Sequence, residues 1–233
     1  MPNKHLSTQF DSELSAVSTR VMELGGLVES QIQKAIYALS HFSVEVANEV
    51  SAIEQQVNAM EVDIDRELSS IIARRQPTAV DLRLLMAISK ATANLERVGD
   101  EAEKIARMVR SILEHAAPRS LPSTDLRVVG DMAAALLRKA LDAFARLDTN
   151  AAILILKEDD LIDKAFDGFV RKLITYMMED PRTISASLDL LFLAKAIERI
   201  GDHAKNIAEL IIYIVKGADV RHVSMEKIES AVR

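Results

Sequence analysis

LERVGDEAEK, residues 95–104, and IERIGDHAKN, residues 197–206, are one motif written twice. Glu96 answers to Glu198, Gly99 to Gly201 and Asp100 to Asp202, each pair 102 residues apart. Around the first copy the apolar positions are Ile88, Ala91, Leu95, Val98, Ala102, Ile105, Val109 and Ile112. Around the second they are Ala194, Ile197, Ile200, Ala204, Ile207, Ile211 and Ile214. Steps of three and four make a heptad seam along one side of a long helix. The same rhythm runs from Phe10 through Leu14, Val17, Val21, Leu24, Val28, Gln31, Ala35 and Leu39.

Prolines cut this helical text into blocks. Pro77, Pro118, Pro122 and Pro181 fall between the periodic stretches. Thr78, with Asp81 three residues on, can open one helix, and Asp180 followed by Pro181 has the form of an N-cap and first turn. Strand-like alternation is nowhere sustained. The expected fold is all-α, with six long helices over residues 6–40, 43–75, 79–114, 124–147, 149–178 and 183–216. They form two pseudo-symmetric three-helix bundles by internal duplication, 6–114 and 124–217, joined by a loop at 115–123 and followed by a tail at 218–233. Single seams and short connections favour antiparallel bundles. Gly25 and Gly26 lie inside the first helix at about 1 kcal/mol each relative to alanine, which points to close packing or a mild kink.

Composition narrows the function. The 233 residues are 49% hydrophobic, 27% charged and only 4% aromatic, which suits Leu, Ile, Val and Ala packed in helices. A net charge of −6 does not favour nucleic acid, whose phosphates are held by clustered Lys and Arg. The chain has no cysteine, so thiolate nucleophiles and Cys-ligated metals are excluded. MPNKHLSTQF lacks the apolar core of a secretory signal, and AAILIL and LIIYIV are too short to span a bilayer. A cytoplasmic protein is expected.

Residues four apart on a helix are neighbours, so Glu96 and Asp100 repel each other unless arginine or a cation intervenes. EVDID, residues 61–65, and DKAFD, residues 163–167, repeat that spacing at the same offset. The eight acids Glu61, Asp65, Glu96, Asp100, Asp163, Asp167, Glu198 and Asp202 fall at heptad positions off the seam. They are expected on the outer surface, where the second and third helices of each half run side by side. One such pair would need no explanation beyond solubility. Four equivalent pairs, with a glycine in mid-helix, point to clusters of hard oxygen ligands suited to Mg, Mn or Fe, and less to Zn. Two other readings are open: a metal-dependent phosphatase or oxidase on a helical scaffold, and a metal-free helical interaction scaffold. The enzyme reading lacks a Glu-x-x-His pair, a phosphate-cradling glycine loop and a pocket signature. His203 stands where the first copy has Glu101 and lies outside the repeated constellation.

ERVGD, ERIGD, EVDID and DKAFD, together with RRQPTAVDLRLLMAISK (74–90) and VKGADVRHV (215–223), closely resemble the PhoU family of bacterial phosphate-transport accessory and regulatory proteins. The resemblance implies two three-helix bundles, a homodimer and surface metal clusters on the eight acids. It implies a negative regulator of the phosphate-starvation response and of phosphate uptake. Such a regulator acts as adaptor between the ATPase component of a phosphate ABC transporter and a sensor histidine kinase, and meets the membrane only through those partners. Family members often carry Asn four residues after the last motif Asp. Asn206 fits as an additional ligand, whereas Lys104 holds that place in the first half, so the second half is expected to bind metal more tightly. Arg75, Asp81 and Arg83 form a candidate partner surface on the same resemblance. Net negative charge further implies that phosphate is read through the transporter or through bound metal, not by bare side chains.

Overall fold

The computed structural model describes residues 8–114 and 123–232; the connection at 115–122, with Pro118 and Pro122, lies outside the described residues. Seven α-helices follow one another: α1 (Thr8–His41), α2 (Val44–Arg75), α3 (Ala79–Glu114), α4 (Ser123–Arg146), α5 (Thr149–Glu179), α6 (Ile184–Lys216) and α7 (Met225–Val232). A 3-10 turn, Pro181–Thr183, precedes α6, and among the described residues there is no strand. The fold is all-α, and its six long helices form the two bundles that the duplicated seams imply.

The seam residues are the core. Every apolar position of the three heptad rows lies at 8% exposure or less, from Phe10 in α1 to Ile214 in α6. Each fully buried Leu or Ile stabilises the fold by about 1.5–3 kcal/mol. The helices of each half pack pairwise, and α3 against α6 is the most extensive contact in the molecule, with α1 against α4 beside it. The two bundles therefore share one core. Among the described residues helix α2 touches only α1 and α3, so it lies on one flank; α5 occupies the other, against α4, α6 and α7.

The duplication extends to turns. Phe42 and Leu147 both adopt left-handed backbone, φ 50° and 52°. The next residue caps the following helix in each case. Ser43 Oγ accepts from the Val46 N–H at 3.3 Å, and Asp148 Oδ1 accepts from the Asn150 and Ala151 N–H groups at 3.0 Å. The N–H of each cap reaches back to an alanine carbonyl, Ala38 at 3.1 Å and Ala143 at 3.0 Å. Asp180 accepts from the Arg182 N–H at 3.0 Å with Pro181 at the first position, and three residues of 3-10 turn intervene before α6.

Of the two glycines inside α1, Gly25 has a packing reason. A Cβ there would lie 2.6 Å from Leu141 Cδ2, so it sets the approach of α1 to α4, while nothing lies within 4 Å of a Cβ at Gly26. The stretch expected as a tail carries structure. Gly217, at φ 70°, ends α6, Val220 is buried, and α7 lays Ile228 and Val232 against α5 and α6. Eight residues with two apolar anchors leave too short a pattern for periodicity to register.

Candidate metal centres

The four acids of the first half lie along α2 and α3, where these helices pack side by side. Glu61 and Glu96 are half-buried, and Asp65 and Asp100 are exposed. Burial first, then the charges of Asp100, Glu61 and Glu54, push Glu96 up to about 7. Glu61 is raised by burial, then by Asp65 and Asp100. Ser89 Oγ donates to Asp65 Oδ1 at 3.2 Å. Beneath them lies Glu54, only 8% exposed, two turns before Glu61 on α2. It accepts from Gln31 Nε2 at 2.8 Å, and burial raises its pKa. Gly99 makes room for this pair: a Cβ there would stand 2.8 Å from Glu54 Oε2 and 3.0 Å from Gln31 Oε1.

The second half repeats the plan between α5 and α6. Asp163, Glu198 and Asp202 are half-buried and Asp167 is exposed. Asp202 is raised by burial, then by Glu198 and Asp163. The acid beneath is Asp159, fully buried, with Oδ1 2.9 Å from where a Cβ on Gly201 would sit. Here, however, lysines enter. Lys205 Nζ donates to Asp159 Oδ2 at 2.9 Å, and Lys195 Nζ lies 2.6 Å from Glu198 Oε1 and over the Phe166 ring. The two clusters match in position and differ in compensation: the first feels only the charge of Arg97, with no ion pair to it, while the second carries two ammonium groups in direct contact.

Glu61, Glu96, Asp163, Glu198 and Asp202 sit deeper than the heptad positions suggest, while Asp65, Asp100 and Asp167 stay exposed. The Glu198 side chain keeps only 12% exposure. Helix α3 packs against α1, α2 and α6, and α6 against α3, α4 and α5, so the buried arc is wider than one seam. Glu54 and Asp159 were not among the expected residues. Their signal in the sequence is an acidic stripe, Asp159, Asp163 and Asp167 at four-residue steps and Glu54 seven before Glu61.

The donor set suits a hard cation, and so do the orphaned oxygens. Glu54 Oε1, Asp159 Oδ1 and Glu198 Oε2 are buried without a hydrogen-bond partner. Such atoms cost about 1–3 kcal/mol each unless something satisfies them. As the side chains stand, no three His, Asp or Glu among the described residues close around one point.

The remaining expected residues fall elsewhere. Asn206 Nδ2 donates to Asn94 Oδ1 at 3.1 Å, which places its amide at the α3–α6 seam. His203 is buried, at 5% exposure; its Nδ1 lies 3.1 Å from Asn94 Oδ1, and burial, then Arg199, holds its pKa down to about 4. Lys104 Nζ pairs with the buried Glu101 at 2.8 Å. Arg75 is bidentate on Glu13, at 2.9 and 2.8 Å, and ties the end of α2 to the start of α1. Asp81 is half-buried in the first turn of α3, and Arg83 packs against Gly217.

Comparison with known proteins finds one family in both halves of the chain. The PhoU domain family matches the chain twice, over residues 21–109 and 126–211. A Burkholderia relative, a phosphate-specific transport system accessory protein PhoU homolog, is 52% identical over 98% of this chain and 97% of its own. The crystal structure of PhoU from Pseudomonas aeruginosa superposes with a TM-score of 0.86 at 43% identity, covering 90% of this chain and all of that one. The phosphate transport system regulatory protein PhoU from Streptococcus pneumoniae gives 0.83 at 27% identity, over 91% and 99%.

Proposed function

The chain belongs to the PhoU family, and from that premise we propose that it is an accessory protein of a phosphate-specific transport system that restrains phosphate uptake and the starvation response when phosphate is plentiful. The observation that carries this reading is the family match across both halves of the chain. In this role it acts by contact, as a cytoplasmic homodimeric adaptor between the transporter's ATPase component and a sensor histidine kinase. Its relatives are named accessory or regulatory proteins, which supports a non-catalytic role. Among the described residues no helix is long and apolar enough to cross a membrane, in keeping with membrane contact through partners.

The metal part of the proposal rests on the orphaned oxygens and the mutual repulsion of the acids. Glu61, Asp65, Glu96 and Asp100, backed by Glu54, would hold a hard cation, Mg, Mn or Fe. The cation's positive charge would offset the repulsion and tie α2 to α3. Asp163, Asp167, Glu198 and Asp202 would hold one more weakly, because Lys195 and Lys205 already supply positive charge there. This reverses the order expected from Lys104, whose side chain turns to Glu101 instead of the cluster.

The test is genetic. Deleting the gene should switch on a phosphate-starvation reporter in phosphate-rich medium, and the wild-type chain should silence it again. A reporter indifferent to the deletion would overturn the regulatory reading. A variant with Asp65 and Asp100 changed to Asn that still silences it would separate regulation from metal.

A further inference from the structure

The duplication is uneven in the apolar surface it leaves to water. On α6, Ile184, Leu188 and Phe192 follow at four-residue steps and stand 42%, 42% and 61% exposed. Residues at that spacing share one helix face. Near the end of α5, Ile174 and Met178 are 48% and 80% exposed. The two helices run antiparallel, with Lys195 over the Phe166 ring and Lys205 on Asp159. The same register sets Ile174 beside Leu188 and Met178 beside Ile184. Five large apolar side chains therefore form one patch at the α5–α6 hairpin end, beyond the acids of that half.

The first half does not repeat the patch. Leu82 and Met86 stand where α6 has Ile184 and Leu188, but Lys90 replaces Phe192 and Gln76 replaces Met178. Ile72, the counterpart of Ile174, is half-buried. Each copy of the chain thus offers one such patch, not two. From these exposures the five side chains present roughly 500 Å² to water, toward the upper end of what a monomer leaves open. A standard interface buries about 800 Å² on each partner, and in homodimers about two-thirds of it is apolar. The patch supplies that apolar share.

We propose that two copies of the chain pair through this patch, their α6 helices antiparallel across a two-fold axis near Leu188. This contact rests on the homodimeric reading and gives it a location. Ile184 of one copy then meets Phe192 of the other. Charge fits the same arrangement. Glu179, exposed at the end of α5, precedes the stripe, and Lys195 and Arg199 follow it. An antiparallel two-fold brings the basic end of one copy to the acidic end of the other, whereas parallel helices would set like charges together. Lys195 and Arg199 already hold Glu198 and Glu101 within their own chain, so the charges set direction and the apolar area supplies the attraction. One self-complementary patch per copy closes the assembly at two.

Sedimentation equilibrium of the full chain tests the contact. The wild type should be a dimer. Leu188→Glu and Phe192→Glu should each raise its dissociation constant tenfold or more with helix content unchanged. Leu161→Glu, at an exposed α5 position outside the patch, should not. The chain has no cysteine, so Leu188→Cys gives a second reading. A short bis-maleimide should link that variant to its own copy and leave Leu161→Cys unlinked on a denaturing gel. A Leu188→Glu protein that dimerises like the wild type, or linking of Leu188→Cys no greater than that of Leu161→Cys, would overturn this face and leave the homodimeric reading standing. A wild type that stays monomeric would overturn both.

Discussion

Lys205 Nζ sits 2.9 Å from Oδ2 of Asp159, whose side chain is 1% exposed, while the matching buried acid of the other half, Glu54, is held by neutral amides, Gln31 first and then Asn58. An internal ammonium thus holds the place in one half that a cation from solution would hold in the other. Replacing Lys205 with Met removes that charge. Loss of one partner from a buried pair costs about 3–5 kcal/mol, and less where one partner is partly solvated, as Lys205 is at 35% exposure. Urea denaturation of the metal-free variant should show a loss of about 2–3 kcal/mol. Added Mn²⁺ should restore more stability to the variant than it adds to the wild type; an equal effect in both would count against Lys205 as a built-in cation.

The motif glycines should resist alanine. At Gly99 and Gly201 a Cβ would crowd buried, hydrogen-bonded carboxylates at 2.8 and 2.9 Å. Overpacking costs about 1–3 kcal/mol, against about 1 kcal/mol gained from helix propensity. Each substitution should therefore lower stability by up to about 2 kcal/mol. Gly26→Ala is the control: it is exposed, meets nothing within 4 Å, and should raise stability by up to about 1 kcal/mol. Thermal melts of the three variants would decide it, and a stabilised Gly99→Ala would contradict the packing account.

Glu96 should mark the pH profile of the metal-free protein. Its pKa rises from an ordinary 4.5 to about 7 on folding, through burial and then Asp100, Glu61 and Glu54. Below pH 4.5 both states hold the proton. Between 4.5 and 7 the unfolded chain releases it first, so the folded state binds more protons and stability falls as pH rises; above 7 the loss is complete. His203, held down to about 4, acts oppositely, adding stability as pH rises from 4 to 6.5. Comparison with Glu96→Gln isolates the first effect. The variant's advantage over wild type should be small at pH 4.5, grow to pH 7 and then level off; a difference independent of pH would refute the assignment.

The seams were legible because a heptad repeat states which side of a helix is buried, and every seam residue from Phe10 to Ile214 obeys it. Gly99 and Gly201 were legible as anomalies, but not what approaches them. Glu54 and Asp159 break the 102-residue register, their counterparts being Leu156 and Val57, so a search for repeats passes over them. Lys104 shows a second limit. Spacing places a residue on a helix face, but a four-carbon side chain reaches several partners from there, and this one takes Glu101. The depth of Glu198 depends on α6 packing against α3, α4 and α5 at once, which no single helix pattern records.

The central claim is that the first-half acids, which have no lysine in contact with them, are the stronger cation site. Titrating Mn²⁺ into the metal-stripped wild type, Asp100→Asn and Asp202→Asn tests it most directly. The account predicts that the tightest site disappears in Asp100→Asn and survives in Asp202→Asn. Loss in Asp202→Asn with retention in Asp100→Asn, or no stoichiometric site in the wild type, would contradict it.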